Sequence, residues 1–247
     1  GSGEQGGEVV RHASESSQHR SLESLAMQPV VIGDVIWEPT PEVAEQTTLK
    51  RFMNRHGIAT FDELLKRSTE DLEWFWDATV HDLRWAFYKG YDRVLDDSDG
   101  PQWVHWFPGA RMNLVHTCLD RHLDAGHHDK TALIWEGEPG EVRRLTYAEL
   151  SAEVCRFAGA LKRLGIEKGD RVGLYMPMVP ETAVAVLAIA KIGAVLIPLF
   201  SGYGATAIAS RLQDGEAKLL ICADGFYRRG QVVPMKETAD DALHSCP

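Results

Sequence analysis

The spacing of apolar residues divides the chain into helical and strand-like segments, most clearly in its second half. Three short apolar runs bounded by Gly, Pro or Asp predict buried strands at 171–175, 195–200 and 218–223. Two helical patterns separate these runs, at 181–192 and 205–213. Because strands and helices alternate at short intervals, we predict an α/β fold with a parallel sheet flanked by helices.

The helix predicted at 181–192 has no polar face, since Thr182-Ala-Val-Ala-Val-Leu-Ala-Ile-Ala190 is almost wholly apolar. Such a helix has to be covered on most sides, which indicates that the sheet belongs to a large domain. Earlier in the chain, Thr146 and Glu149 have the spacing of a capping box at the start of another helical pattern. The stretch 131–145 predicts a β-hairpin whose turn is marked by Glu138-Pro-Gly140.

The amino-terminal part of the chain is organised differently. Residues 1–28 are polar and contain little that could be buried, so we predict a disordered tail. Residues 29–110 are rich in tryptophan and in helix-start signals, which predicts a helical amino-terminal extension. Residues 111–247 are then the first α/β portion of the large domain. An aromatic-binding site and core packing both suit the tryptophans of the extension, and their helical spacing favours packing: Trp74, Trp76 and Trp85.

Charge and cysteine content limit the partners and the compartment. The chain has 36 acidic and 26 basic residues and a formal net charge of -10, which argues against nucleic acid or an anionic membrane as a partner. The four cysteines include no C-x-x-C pair, so we expect reduced thiols in a cytoplasmic protein. No metal site is expected, because His116 and Cys118 would point to different sides of a helix.

Candidate chemistry lies at the turn that follows the strand predicted at 195–200. Gly202-Tyr-Gly204-Ala-Thr-Ala207 has the G-x-G-x-x-A pattern of dinucleotide-binding turns, and Asp224 closes the next strand about 20 residues later. This pattern indicates an NAD(P)-dependent oxidoreductase. However, the turn does not follow the first strand of the sheet, where that pattern normally lies, and a tight turn without a ligand also explains the glycines.

A wider set of motifs points to a third interpretation. These motifs are Cys118-Leu-Asp-Arg-His-Leu123, Gly169-Asp170, Tyr175-Met-Pro-Met-Val-Pro-Glu181, Gly193-Ala-Val195 and Pro234-Met-Lys236. Together they resemble the amino-terminal part of acetyl-CoA synthetase and its AMP-forming relatives. The resemblance extends over nearly the whole chain from Trp37 onward, and the aromatic extension resembles the amino-terminal extension of that group.

This resemblance implies a ligase that uses ATP and Mg²⁺ to join a carboxylic acid to AMP. The acyl group then passes to the thiol of coenzyme A (CoA) or of carrier-protein pantetheine. The family's phosphate-binding loop and late catalytic lysine have no counterpart in residues 1–247. We therefore expect an incomplete adenylate-forming domain, with no catalytic residue and inactive alone, whose partner is the remainder of the same enzyme.

The resemblance also implies a CoA site. In similar enzymes the turn that matches Phe200, Ser201 and Gly202, and a basic residue that matches Arg228, lie against the nucleotide end of CoA. Relatives usually have Phe-Gly-Gly-Phe at this turn, and a second arginine where this chain has Gln231. A carrier protein as acceptor therefore stays open. Two other interpretations remain, a solvated basic turn at Arg228 and a non-catalytic interaction module with a ligase-like scaffold.

Overall fold

A computed structural model of the chain describes residues 37–246, so the tail predicted at 1–28 lies outside the described residues. The chain divides into two units, 1–57 and 58–247.

The described part of the first unit consists of two short helices, α1 (Pro41–Gln46) and α2 (Thr48–Arg55). Each begins after a threonine whose hydroxyl accepts a hydrogen bond from a backbone N–H in the first turn. The distance is 3.4 Å from Val43 to Thr40 and 3.0 Å from Lys50 to Thr47. These hydroxyls satisfy N–H groups that have no partner within the helix, which explains where both helices begin.

The second unit opens with two helices and continues as short strands. The helices are α3 (Phe61–Glu70) and α4 (Leu72–Asp82). Two antiparallel pairs follow, β1 (Phe87–Lys89) with β4 (Arg111–Met112) and β2 (Leu95–Asp96) with β3 (His105–Trp106). The prediction that residues 29–110 are helical is therefore wrong from Phe87 on. Glycines and prolines interrupt this stretch and prevent a continuous helix, at Gly90, Gly100, Pro101, Pro108 and Gly109.

Aromatic rings hold this region of the second unit together. Trp76 of α4 contacts the ring of Trp106 edge to face, with 5.6 Å between the ring centroids. Tyr91 lies 5.1 Å from Phe107 by the same measure, and its hydroxyl donates a 2.5 Å hydrogen bond to Asp77. Burial and this bond raise the pKa of Tyr91 to about 12. The rings of the extension pack against one another, as their spacing predicts.

The α/β part follows the predicted order of elements. It begins with the short helix α5 (Arg121–Asp124). Its hairpin consists of β5 (Thr131–Glu136) and β6 (Val142–Thr146), and α6 (Tyr147–Arg163) comes next. The strand and helix units are β7 (Arg171–Tyr175), α7 (Pro180–Lys191), β8 (Val195–Leu199), α8 (Ala205–Asp214) and β9 (Leu219–Cys222). Each bound lies within one residue of its prediction. The hairpin β10 (Gly225–Arg228) and β11 (Gln231–Pro234) and the helix α9 (Met235–Leu243) were not predicted.

The capping box predicted for α6 is confirmed. The hydroxyl of Thr146 accepts a hydrogen bond from the backbone N–H of Glu149 at 3.2 Å, and the carboxylate of Glu149 accepts one from the backbone N–H of Thr146 at 2.8 Å. Because these bonds stabilise the charged carboxylate, they lower the pKa of Glu149.

The three strands β8, β7 and β9 form a parallel sheet in that order. Val172 of β7 packs with apolar residues of α6 and α7 on one face, and Tyr175 packs with those of α8 and α9 on the other. At Gly173 a Cβ atom would lie 2.5 Å from the side chain of Leu212, so glycine allows α8 to approach the sheet closely. The predicted α/β fold with helices on both faces of a parallel sheet is confirmed.

Asp170 joins the chain segments at the amino ends of all three strands. Its carboxylate lies 2.7 Å from Nζ of Lys218, just before β9, and accepts a 2.8 Å hydrogen bond from the backbone N–H of Glu167. Its carbonyl accepts a 2.7 Å hydrogen bond from the backbone N–H of Val195, where β8 begins. The hydrogen bonds from Lys218 and Glu167 favour the charged carboxylate and lower the pKa of Asp170.

We expect Asp170→Ala to destabilise the 247-residue chain at pH 7, and the effect to shrink in acid. The pKa of Asp170 is lower in the folded chain than its unfolded value of about 3.9, so the ionised carboxylate stabilises the fold above roughly pH 4. This stabilisation is lost as the pH falls through the folded pKa. Urea unfolding followed by circular dichroism at pH 7 and at about pH 2 measures the difference.

The matched control is Asp129→Ala. Asp129 is exposed, and its carboxylate makes no hydrogen bond or ion pair within the described residues. This variant should unfold at the same urea concentration as the unmodified chain. An Asp170→Ala effect that is equally large at both pH values would contradict a role for the ionised carboxylate.

Candidate functional site

The three parallel strands end at one edge of the sheet. β7 ends at Tyr175, β8 at Leu199 and β9 at Cys222. The chain then continues into three loops that begin side by side, at 176–179, 200–204 and 223–224. In open parallel sheets, ligands bind at the edge where the strands end, so these loops form the candidate site.

The turn at 200–204 presents an aromatic ring to solvent. The Phe200 side chain is 60% exposed, and its ring meets that of Tyr203 edge to face at 5.7 Å between centroids. A Cβ atom at Gly202 would lie 2.7 Å from the Phe200 ring, so only glycine lets the ring lie against the backbone here. From the sheet side, the hydroxyl of Tyr175 lies 3.3 Å from the carbonyl oxygens of both Ser201 and Tyr203. The turn is therefore supported by the buried end of β7.

The second predicted element of the site lies on the hairpin of β10 and β11. Arg229 and Gly230 form its two-residue turn, with φ angles of 54° and 74°. Arg228 and Gln231 are paired directly across the ribbon, next to this turn. The side chains of Arg228 and Arg229 make no hydrogen bond or ion pair within residues 37–246. The hairpin thus presents two unpaired guanidinium groups at its tip.

The hairpin of β5 and β6 lies over this edge and contacts both neighbouring loops. The indole N–H of Trp135 donates a 2.6 Å hydrogen bond to the carbonyl oxygen of Met178, in the loop after β7. The carboxylate of Glu138 accepts hydrogen bonds from the backbone N–H groups of Arg229 at 2.9 Å and Gly230 at 2.6 Å. One hairpin therefore connects the loop after β7 with the tip of the other hairpin.

An ion pair fixes the same hairpin at its second strand. The guanidinium of Arg143 lies 2.7 Å from the carboxylate of Glu181, in the first turn of α7. The hydrogen bond from Arg143 lowers the pKa of Glu181. The orientation of the β5–β6 hairpin at the sheet edge is thus set at Trp135, Glu138 and Arg143.

A cavity of about 380 Å³ is lined by residues of the turn at 200–204 and of both hairpins. Its lining includes Ser201, Tyr227 and Glu138. Phe200, Ser201 and Gly202 are neighbours in one turn, and Arg228 and Gln231 are neighbours in another. The latter two line a separate, open depression at the hairpin tip.

Several residues that support these elements were not predicted as part of the site. Tyr175 stands beneath the turn at 200–204, while Trp135 and Glu138 connect the hairpins. A local signal exists only for the second hairpin. Gly225-Phe-Tyr-Arg228 and Gln231-Val-Val-Pro234 flank Arg229-Gly230, and β-forming residues on both sides of a two-residue turn are typical of a hairpin.

Asp224, which the oxidoreductase interpretation assigns to a ribose, is engaged with the local backbone. Its carboxylate accepts a 2.8 Å hydrogen bond from the N–H of Gly225. Its carbonyl oxygen accepts bonds of 3.0 Å from Met235 and 3.1 Å from Lys236, at the start of α9. Asp224 therefore holds the base of the β10–β11 hairpin against α9, and the geometry lends no support to that interpretation.

Neither a metal cluster nor a membrane-spanning helix is found in the part of the chain that the structure describes. No three His, Cys, Asp or Glu side chains within residues 37–246 are grouped so that they could hold a metal ion. None of the helices formed by these residues has the length and apolarity needed to cross a bilayer. The four cysteines, all among these residues, are unpaired.

Comparison with known proteins gives the chain its family. Residues 119–246 match the family described as AMP-binding enzyme, and residues 61–118 match the acetyl-coenzyme A synthetase N-terminus. The chain is 46% identical over 193 residues to the acetyl-coenzyme A synthetase of Deinococcus radiodurans, which covers 78% of this chain and 29% of that protein. It is 42% identical over 211 residues to the acetyl-coenzyme A synthetase of Mycobacterium bovis, which covers 85% of this chain and 32% of that protein.

A solved structure agrees with these sequence matches. The acetoacetyl-CoA synthetase from Streptomyces lividans superposes with a TM-score of 0.77 and 30% sequence identity, over 85% of this chain and 33% of that one. The chain thus spans about a third of the length of the relatives it matches. The resemblance to the amino-terminal part of acetyl-CoA synthetase is confirmed, and the chain belongs to the AMP-binding enzyme family.

Proposed function

We propose that this chain forms the amino-terminal part of an ATP-dependent acyl-CoA synthetase. Such an enzyme joins a carboxylic acid to AMP and then transfers the acyl group to the thiol of CoA. The family match, and relatives that are named acetyl-CoA and acetoacetyl-CoA synthetases, support this proposal. ATP, Mg²⁺ and the acid are bound by the remainder of the enzyme, because residues 1–247 contain no counterpart of the family's phosphate-binding loop or catalytic lysine.

The part that this chain plays is to bind the nucleotide end of CoA. The observation that carries this assignment is an exposed aromatic ring on one loop and unpaired guanidinium groups on another, around the same sheet edge. Phe200 offers a face on which the adenine can stack, and the glycine at 202 keeps the backbone beside that ring accessible. Arg228 is the donor for a phosphate, and the amide of Gln231 is a neutral donor beside it.

The charge of the chain as a whole supports a role in phosphate binding for Arg228 and Arg229. In a protein with a net charge of -10, the guanidinium groups of Arg228 and Arg229 form no ion pair within residues 37–246, and the Glu138 carboxylate at this tip is bonded to backbone N–H groups instead. A nucleotide phosphate supplies the missing negative charge and forms strong, charge-assisted hydrogen bonds with a guanidinium.

The remainder of the enzyme is the second partner. All four residues of β9 are half-buried, although they are apolar or cysteine, and β9 pairs only with β7 among the described strands. A cavity of about 520 Å³ lies beside it, lined by Leu145, Phe157 and Ile221 among others. This apolar edge is suited to a further part of the large domain, and the four unpaired cysteines suit a reducing, cytoplasmic location.

The 247-residue chain alone should not adenylate any carboxylic acid. Without a phosphate-binding loop and the late lysine, no preorganised positive charge stabilises the transition state in which AMP passes from pyrophosphate to the carboxylate. The measurement is pyrophosphate release with ATP, Mg²⁺ and a series of short acids. Release that depends on the acid and exceeds the background would contradict this assignment of roles.

In the full-length enzyme, Arg228→Ala should weaken the apparent affinity for CoA by about 10- to 150-fold, since a hydrogen bond to a charged group is worth roughly 1.5–3 kcal/mol. Acyl-adenylate formation should stay unchanged. Gln231→Arg, which restores the usual second cation, should raise the apparent affinity for CoA. The two half-reactions are measured separately, as pyrophosphate release and as thioester formation against CoA concentration.

Arg163→Ala is the matched control, because Arg163 is exposed at the end of α6, which leads to the opposite edge of the sheet. It should leave both half-reactions intact. Pantetheine, which carries the thiol of CoA but neither its adenosine nor its phosphates, distinguishes the acceptors: Arg228→Ala should not affect its use. Equal losses in both half-reactions would indicate a structural role for Arg228, and no loss would make it a solvated turn. A full-length protein that forms no acyl-adenylate would favour a non-catalytic module.

A further inference from the structure

Glu138 makes an unusual contact for an exposed side chain. Its two carboxylate oxygens accept hydrogen bonds from the backbone N–H groups of Arg229 and Gly230, 91 and 92 residues away in sequence. Both donors belong to a turn with left-handed φ angles of 54° and 74°. In such a two-residue turn these N–H groups point away from the ladder of the hairpin, so the hairpin itself offers them no partner.

The β5–β6 hairpin, which carries Glu138, is held by several hydrogen bonds. Trp135 is bonded to Met178, and Arg143 is paired with Glu181. The turn between β5 and β6 is closed by a 2.8 Å hydrogen bond from the N–H of Gly137 to the carbonyl of Glu141. Glu138 therefore projects from a hairpin that is tied to the edge of the sheet on both of its strands.

The tip of the β10–β11 hairpin has little other support. Its base is held by Asp224, whose carbonyl accepts hydrogen bonds from Met235 and Lys236. At the tip, within the part of the chain described here, Glu138 supplies the only side-chain hydrogen bonds to Arg229 and Gly230. Arg228 and Gln231 adjoin this turn, so its position decides where their side chains stand.

We propose that Glu138 is a positioning residue for CoA, which holds the tip of the β10–β11 hairpin so that Arg228 and Gln231 face the turn at 200–204. This inference rests on the proposed function. Glu138 lines the same cavity as Ser201 and is bonded to the turn beside Arg228, so it is close to both elements that would hold the nucleotide. Glu138 itself makes no contact with CoA in this arrangement and acts through the backbone of residues 229 and 230.

The expected loss of CoA affinity follows from the fraction of molecules in which the hairpin tip is correctly placed. A ligand that binds only one conformation has its apparent affinity reduced by the fraction of molecules in that conformation. If the freed tip is correctly placed about a tenth of the time, the apparent affinity for CoA falls about 10-fold. Once CoA is saturating, the hairpin is held by the ligand, so the maximal rate should not change.

The test uses the full-length enzyme with Glu138→Ala, Glu138→Gln and the control Asp129→Ala. Asp129 is exposed just before the same hairpin, and its carboxylate makes no hydrogen bond or ion pair within residues 37–246. We expect Glu138→Ala to raise KM for CoA about 10-fold, with kcat and pyrophosphate release unchanged. Glu138→Gln keeps an acceptor oxygen but loses the charge, so its KM should lie between those of Glu138→Ala and the unmodified enzyme. Asp129→Ala should match the unmodified enzyme.

Two further measurements separate positioning from a general structural role. Hydrogen exchange of the amides at 229 and 230 should accelerate in Glu138→Ala, while that of β7 should not. The double variant Glu138→Ala/Arg228→Ala should have a KM for CoA less than about twofold above that of Arg228→Ala, because Glu138 acts chiefly through Arg228.

Several results would overturn the inference. An unchanged KM for CoA in Glu138→Ala, or unchanged exchange of the amides at 229 and 230, would do so. If Arg228→Ala still raises KM for CoA in that case, the CoA site itself survives. A lower KM in Glu138→Ala would mean that the carboxylate competes with a phosphate of CoA. Loss of pyrophosphate release would indicate a structural defect. If Arg228→Ala also leaves CoA use intact, the proposed CoA site fails together with the inference.

Discussion

Strand β7 is buried on both faces, and the arrangement of the α/β part depends on this burial. Val172 and Tyr175 point to opposite sides of the sheet and are 0% and 2% exposed, so helices have to cover both faces. Gly173 lies between them without a side chain, which lets α8 pack directly on the strand. Since full burial of one large apolar side chain stabilises a fold by about 1.5–3 kcal/mol, these few positions contribute strongly to holding four helices on one sheet.

This covered sheet explains why the candidate site stands where it does. Its parallel strands all end at one edge, and the loops after them have to emerge there side by side. Tyr175 shows the connection directly: its ring is part of the core, while its hydroxyl supports the carbonyl oxygens of the turn that exposes Phe200. A core residue thus sets the geometry of an exposed aromatic platform.

The charged side chains of the described residues fall into two groups, those that have a hydrogen-bond partner and those that have none. Asp170, Glu181 and Glu149 each have hydrogen-bond donors beside the carboxylate, and the pKa of each is lowered as a result. Arg228 and Arg229 have no such partner within the described residues, although the chain as a whole is acidic. Cations that form no ion pair are suited to an anionic ligand, and these two lie at the tip of the hairpin that begins just after β9.

The sequence by itself determined the central strands and helices of the α/β part, because periodicity, capping residues and glycine positions act locally. The strands β7, β8 and β9, the helices between them and the capping box at Thr146 all follow from residues a few positions apart. Family motifs indicated the turn at 200–202 and Arg228, but not how they are held. Only the tertiary structure decided the strand order β8-β7-β9 and the contact of Glu138 with the turn at 229–230. The Glu138 contact joins residues 91 and 92 positions apart, and no local pattern encodes which distant backbone N–H a carboxylate will meet.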